Sequence, residues 1–127
     1  MKRLIPITLI LILFACQQET PLNQSANSHY FEVDGILVSS IYLPSSFTPD
    51  GDNVNEFFSP LMIGIDQCSF SIYSKSQLIY NSDQLYPSWD GRIAGRVPQS
   101  GIYTWKLTAL DTIDNKYDMA GEVNLLL

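Results

Sequence analysis

The sequence predicts an all-β protein, an immunoglobulin-like antiparallel β-sandwich of about seven strands that occupies residues 29–127. Three observations lead to this fold class. Apolar and polar residues alternate with period two in several segments, clusters of turn-forming residues separate these segments, and no useful stretch after residue 28 has the helical period. A small β-barrel is the alternative architecture that the same pattern allows.

Residues 1–15 have the pattern of a secretory signal peptide. Lys2 and Arg3 form a basic start, and Leu4 to Phe14 follow as an apolar segment, which is too short to cross a bilayer because a spanning helix takes about 20 residues. The end of this segment, Leu13-Phe14-Ala15-Cys16, resembles a bacterial lipobox. The resemblance implies that Cys16 becomes the first mature residue and carries lipid; the alternative is an ordinary signal peptide with an incidental cysteine.

Residues 16–28 are predicted to be the lipidated cysteine and a flexible tether, because Gln, Asn, Ser and Pro dominate them. Gln17 follows the cysteine where many lipoproteins that stay in the inner membrane have Asp. Glu19 weakly matches the acidic surface-export signals of lipoproteins from Bacteroidetes. The expected location is therefore the cell outer membrane, with a lipid anchor, on either the periplasmic side or the cell surface.

Length and charge exclude several function classes. The chain has 127 residues, enough for one domain. Loss of Lys2 and Arg3 with the signal leaves 5 basic residues against 13 acidic ones, a formal charge of −8. Such an acidic protein is unsuited to nucleic acid or to electrostatic attraction by anionic lipids.

Three segments of the folded part predict half-buried strands. One side of each strand is apolar, and the apolar sets are Cys68, Phe70 and Ile72; Tyr103, Trp105, Leu107 and Ala109; and Met119, Val123, Leu125 and Leu127. Turns are predicted at residues 74–76, 90–91, 98–101 and 114–115. The alternation also places Cys68 in the core as a small apolar residue rather than a reactive thiol.

Residues 44–58 are predicted to be a loop, since two prolines and a glycine interrupt any strand there. Four side chains with oxygen atoms, those of Asp50, Asp52, Asn55 and Glu56, fall within seven residues. Their spacing resembles the start of a calcium loop, although Val54 stands where a complete loop has a third acid. The alternative is a solvated turn in which these side chains accept hydrogen bonds from backbone amides.

The same loop and the segments after it resemble the type B C-terminal sorting domain of the type IX secretion system, the gliding motility-associated C-terminal domain family of Bacteroidetes. The resemblance covers residues 41–127. The matching positions are Pro44, Phe47, Thr48, Pro49, Gly51, Asp52, Asn55 and Phe58; Phe70, Ile72 and Tyr73; Trp89, Asp90, Gly91 and Gly95; Pro98, Gly101 and Tyr103; and Gly121, Val123 and Leu125. Asp50 and Glu56 are close replacements.

The resemblance implies a non-catalytic module that binds the type IX translocon or other surface proteins in secretion, surface attachment or gliding-associated assembly. Three departures stand against it. Residues 74–77 lack the tryptophan and glycine of the family's hairpin, the chain ends in three leucines rather than a basic residue, and we expect only the lipid anchor and tether where the family has a large cargo protein.

The sequence leaves two other kinds of binding module as alternatives. A surface glycan-binding module would use Trp89, Trp105 and exposed tyrosines, and a calcium-binding module would use the 50–56 loop. An enzyme is not expected, because the only histidine, His29, lies at the tether boundary and no nucleophile with a partnering base is evident.

Overall fold

The computed structural model describes residues 27–127; the predicted signal peptide, Cys16 and nearly all of the tether lie outside them. The described residues form eight β-strands, and no helix among them is long and apolar enough to cross a membrane. The strands are β1 (Ser28–Val33), β2 (Ile36–Tyr42), β3 (Ser46–Phe47), β4 (Leu61–Ile63), β5 (Ile65–Ser74), β6 (Gln77–Ser82), β7 (Gly101–Asp111) and β8 (Lys116–Leu125). The all-β prediction is thus confirmed.

The strands form two packed sheets, as expected of a β-sandwich. The smaller sheet has the order β1-β2-β4, and the larger has the order β3-β8-β7-β5-β6. One pair departs from the antiparallel prediction, because β3 runs parallel to β8. β3 also lies inside the segment predicted to be loop: two residues fit between Pro44 and Pro49, and buried Phe47 holds them against the sheet.

The alternation predicted for β5, β7 and β8 is confirmed, since their apolar positions face the core between the sheets. The one exception is Leu127, which is exposed. β8 ends at Leu125, so the period-two pattern stops two residues before Leu127. The amide of Leu126 donates to the carbonyl of Phe47 (3.0 Å).

A buried polar link joins the two sheets. Ser39 of β2 donates to the carboxylate of Asp111 at the end of β7 (2.7 Å), and the Ser39 hydroxyl also lies 2.8 Å from the Tyr117 hydroxyl of β8. Burial raises the pKa of Asp111, but hydrogen bonds from Ser39, Asn115 and the Ile113 amide outweigh burial and hold the pKa below its usual value.

The turn between β5 and β6 forms without a glycine. Ser74 pairs with Gln77, so Lys75 and Ser76 alone form the turn. Both adopt left-handed φ angles, 47° and 68°, which a two-residue turn of this kind requires. The turn predicted at residues 74–76 is therefore present, in a conformation usually given to Asn and Gly.

Candidate functional site

The residues that match the sorting domain meet at one end of the sandwich. The rings of Phe47 and Trp89 lie 5.5 Å apart, and those of Trp89 and Tyr103 lie 5.1 Å apart in an edge-on arrangement. Phe58 contacts Phe47 from the other side at 5.9 Å. Three parts of the chain, the 44–58 segment, Trp89 and Tyr103, thus share one aromatic cluster.

Trp89 holds this end of the sandwich together. Its backbone exchanges two hydrogen bonds with Phe58 (2.8 and 3.0 Å), and its indole Nε1 donates to the carbonyl of Arg92 (3.0 Å). The side chain is buried, so Trp89 is a residue of the hydrophobic core. Asp90 turns the chain by accepting the Arg92 amide (2.9 Å).

Gly91 lies where three other segments approach the turn. A Cβ atom there would lie 3.0 Å from Leu125, 3.1 Å from Pro49 and 3.3 Å from Pro98, and its φ of 83° is in the left-handed region. Only glycine suits both the space and the backbone conformation. The loop, the Trp-Asp-Gly turn and the last strand are therefore fitted to one another.

Gly101 and Tyr103 begin β7 beside this cluster. Burial raises the pKa of Tyr103, and its hydroxyl donates to the carbonyl of Gln99 (2.8 Å). This bond fixes the predicted turn at residues 98–101 against the strand that follows it.

The 50–56 loop is organised around carboxylates that accept backbone amides. Glu56 accepts the Gly51 amide with both oxygens (3.0 Å each) and the Asn53 amide with Oε1 (3.1 Å). Asp50 accepts the Asp52 amide (3.1 Å), and Asp52 accepts the Val54 amide (2.8 Å). These are the contacts that the solvated-turn alternative expected.

The same carboxylates also converge in the way that a cation site needs. One oxygen from each of Asp50, Asp52 and Glu56 lies within 4.8 Å of the others. The hydrogen bond from the Val54 amide lowers the pKa of Asp52, so this carboxylate is charged at neutral pH. Asn55 contributes its backbone carbonyl to the loop by accepting the Thr48 amide (2.8 Å), and its φ of 52° is left-handed.

An open strand edge adjoins the aromatic cluster and belongs to the C-terminal strand, β8. β3 pairs only with Asn124 and Leu125, although β8 begins at Lys116. The Asn124 amide points toward β3, and alternate backbone groups of a strand point the same way, so those of Asp118, Ala120 and Glu122 face that side too. No strand of residues 27–127 pairs with them there.

Cys68 sits apart from this end of the molecule, at a groove of about 750 Å³ that Asp66, Asp83 and Lys116 also line. Burial raises the pKa of its thiol to about 11. A thiol with this pKa is protonated at neutral pH and is a poor nucleophile. The structure thus agrees with its interpretation as a small core residue.

No family model, curated protein or solved structure matches the chain.

Proposed function

We propose that the protein is a non-catalytic outer-membrane lipoprotein whose immunoglobulin-like β-sandwich acts like a type IX sorting domain. It binds protein components of secretion, surface attachment or gliding-associated assembly. The observation that carries the proposal is the joining of the sorting-domain positions Phe47, Trp89, Gly91 and Tyr103 into one cluster. Residues that meet in space give the resemblance a basis beyond their order in the sequence.

The immunoglobulin-like arrangement is supported by the sheets themselves. A sheet of three strands packs on a sheet of five, and the last two long strands, β7 and β8, lie side by side at its centre.

The open edge of β8 offers a means of partner binding. An extended segment of another protein can add to such an edge through main-chain hydrogen bonds. The backbone groups of Asp118, Ala120 and Glu122 are available for this pairing, and they lie in the C-terminal strand, beside the aromatic cluster. We therefore assign recognition to this edge and to the adjoining 50–56 loop.

A reporter fusion tests the proposal. Residues 27–127 are fused to a secreted reporter in a host that has the type IX system, since β1 begins at Ser28 and the Asn27 carbonyl holds the Leu43 amide (2.8 Å). Export of the reporter to the medium or cell surface is expected. Retention in the periplasm, while a standard sorting domain exports the same reporter, would refute the sorting function.

A proline substitution at the open edge of β8 tests whether this edge binds a partner, without breaking the pairing of β8 with β7. Ala120→Pro removes one amide that faces the open side of β8 and leaves the β7 side of the ladder intact. We expect the folded variant to lose export. The matched control is Ala120→Ser, which keeps the amide and should export normally.

A second candidate function is calcium binding by the 50–56 loop, favoured by the convergence of Asp50, Asp52 and Glu56. Calorimetric titration of the metal-free protein should then release or absorb heat, and Asp52→Asn should weaken the effect. Absence of heat together with an unchanged melting temperature at millimolar calcium removes this candidate. A glycan-binding platform has less support, because Trp89 and Trp105 are both buried.

Protease treatment of intact cells addresses the location. Cleavage of the protein without cell lysis is expected if the domain is at the cell surface, whereas protection that disappears on permeabilisation indicates the periplasmic side of the outer membrane.

A further inference from the structure

The outer face of the three-stranded sheet is apolar. Its strands pair in two outward rows, Tyr30–Ser40–Ile63 and Ser28–Tyr42–Leu61. The row between them is His29–Ile41–Met62, in which Ile41 is buried and Met62 packs against the core, so the two flanking rows point outward. Tyr42, Leu61 and Ile63 are exposed, and neither row contains a charged residue.

The opposite side of the sandwich has a polar, solvated face. On the outer face of the five-stranded sheet, Lys106, Thr108, Asp118 and Glu122 alternate with the core positions of β7 and β8. An antiparallel sheet usually has one such solvated face, whereas a contiguous exposed apolar face marks a contact with a protein or a membrane.

The chain enters the domain at the edge of this apolar face. Ser28 is itself a member of the outer row, and Cys16 precedes Asn27 by eleven residues. Eleven residues reach at most about 40 Å when fully extended. If Cys16 carries lipid, as the proposed function requires, a bilayer is always within reach of the face.

We propose that this face, formed by Tyr42, Leu61 and Ile63, lies against the bilayer that holds the Cys16 lipid. The exposed ring of Tyr42 suits the headgroup level of a membrane, where the ring is in apolar surroundings and the hydroxyl is hydrated. Leu61 and Ile63 reach the acyl boundary beside it. Neither row holds a charged residue whose hydration the contact would remove.

The chemistry of the contact is apolar rather than electrostatic. The mature chain carries a formal charge of −8, which opposes attraction to anionic headgroups. The docked face therefore suits a bilayer of zwitterionic lipid, and added salt leaves the contact intact. The sandwich then lies on its smaller sheet, with the polar face of the five-stranded sheet turned toward water.

Two matched tryptophan reporters test this orientation. Ile63 and Ile102 are exposed to similar extents, 58% and 63%, on opposite faces of the sandwich. Ile63→Trp and Ile102→Trp are made separately in the full chain, which is purified from bacterial membranes and reconstituted into vesicles of phosphatidylcholine with brominated acyl chains. The native Trp89 and Trp105 are buried and give both variants the same background.

The expected result is a blue-shifted Ile63→Trp emission that brominated lipid quenches several-fold more strongly than the Ile102→Trp emission, at low and high salt alike. Equal quenching of the two reporters overturns the proposal. A blue shift of Ile63→Trp without quenching also overturns it, because a second copy of the chain then covers the face instead.

Mass spectrometry of the same samples distinguishes failure of the docked orientation from failure of the proposed lipidation of Cys16. A lipid mass on Cys16 with unselective quenching refutes the docked orientation alone. A Cys16 without lipid refutes the proposed lipoprotein function, and the docked orientation fails with it.

Discussion

Replacing Gly121 with alanine should destabilise the sandwich, because Trp105 occupies the space that a side chain needs. Gly121 in β8 pairs directly with Trp105 in β7. A Cβ atom at Gly121 would lie 2.6 Å from Cζ2 and 2.9 Å from Cε2 of the indole ring. Ordinary contacts between such carbons begin near 3.5 Å, so one of the two groups has to move by about 1 Å.

The size of the effect follows from the burial of Trp105. The ring is only 1% exposed and is enclosed by core residues, so it has no free direction in which to move. Overpacking of a core costs about 1–3 kcal/mol. Restriction of the unfolded chain by alanine offsets about 0.4–1 kcal/mol of this cost. The net loss is about 1–2 kcal/mol, which lowers the melting temperature of a domain this size by about 5–10 °C.

Urea unfolding and thermal melting measure the prediction, and Gly101→Ala is the matched control. Gly101 is also a glycine of a β-strand in this sheet, but a Cβ atom there would meet only Tyr103 at 3.9 Å, an ordinary contact. The control should change stability by less than about 0.5 kcal/mol. If Gly121→Ala is as stable as Gly101→Ala, the indole does not limit the space at Gly121 and the reasoning is refuted.

Three further predictions concern titration, loop order and thiol reactivity. Asp111→Asn should cost about 3 kcal/mol in urea unfolding at neutral pH, because the buried carboxylate accepts several hydrogen bonds. Folding lowers the pKa of Asp111, so the stability that its carboxylate contributes is present above the unfolded pKa and is lost as the pH falls through the folded pKa. The difference in unfolding free energy between wild type and Asp111→Asn should therefore shrink at pH 3. A difference that stays the same at pH 3 contradicts this prediction. Glu56→Gln should speed hydrogen exchange at the Gly51 and Asn53 amides, because Glu56 accepts both of them. The control Glu122→Gln should leave this exchange unchanged. Equal protection of the two amides in wild type and in both variants would show that Glu56 does not order the loop. Cys68 should react with thiol reagents only as fast as the protein unfolds, and rapid labelling under native conditions would contradict its burial.

The long strands were predictable because each has one buried and one solvated face. In β7, Tyr103, Trp105 and Leu107 alternate with Thr104, Lys106 and Thr108, so the sequence carries the period of the strand. The smaller sheet lacks this contrast. Tyr42, Leu61 and Ile63 face outward although they are apolar, and their strands therefore do not stand out from the sequence.

The remaining features depend on contacts between distant residues. Ser39 belongs to the core because it bonds to Asp111, which is 72 residues away, and nothing near Ser39 in the sequence indicates that partner. β3 is too short to show a period and exists through its pairing with β8. The 50–56 loop was more accessible to sequence reasoning, since its carboxylates interact with amides only two to five residues away.

The parallel pairing of β3 with β8 also affects when the domain can fold. Ser46 pairs with Asn124, so this contact closes a loop of nearly the whole domain. Contacts of such long sequence separation form late, after their loop-closure entropy can be offset by other interactions. A chain leaving the ribosome therefore cannot complete this sheet until Asn124 and Leu125 have emerged, and Phe47 gains its place in the core only then.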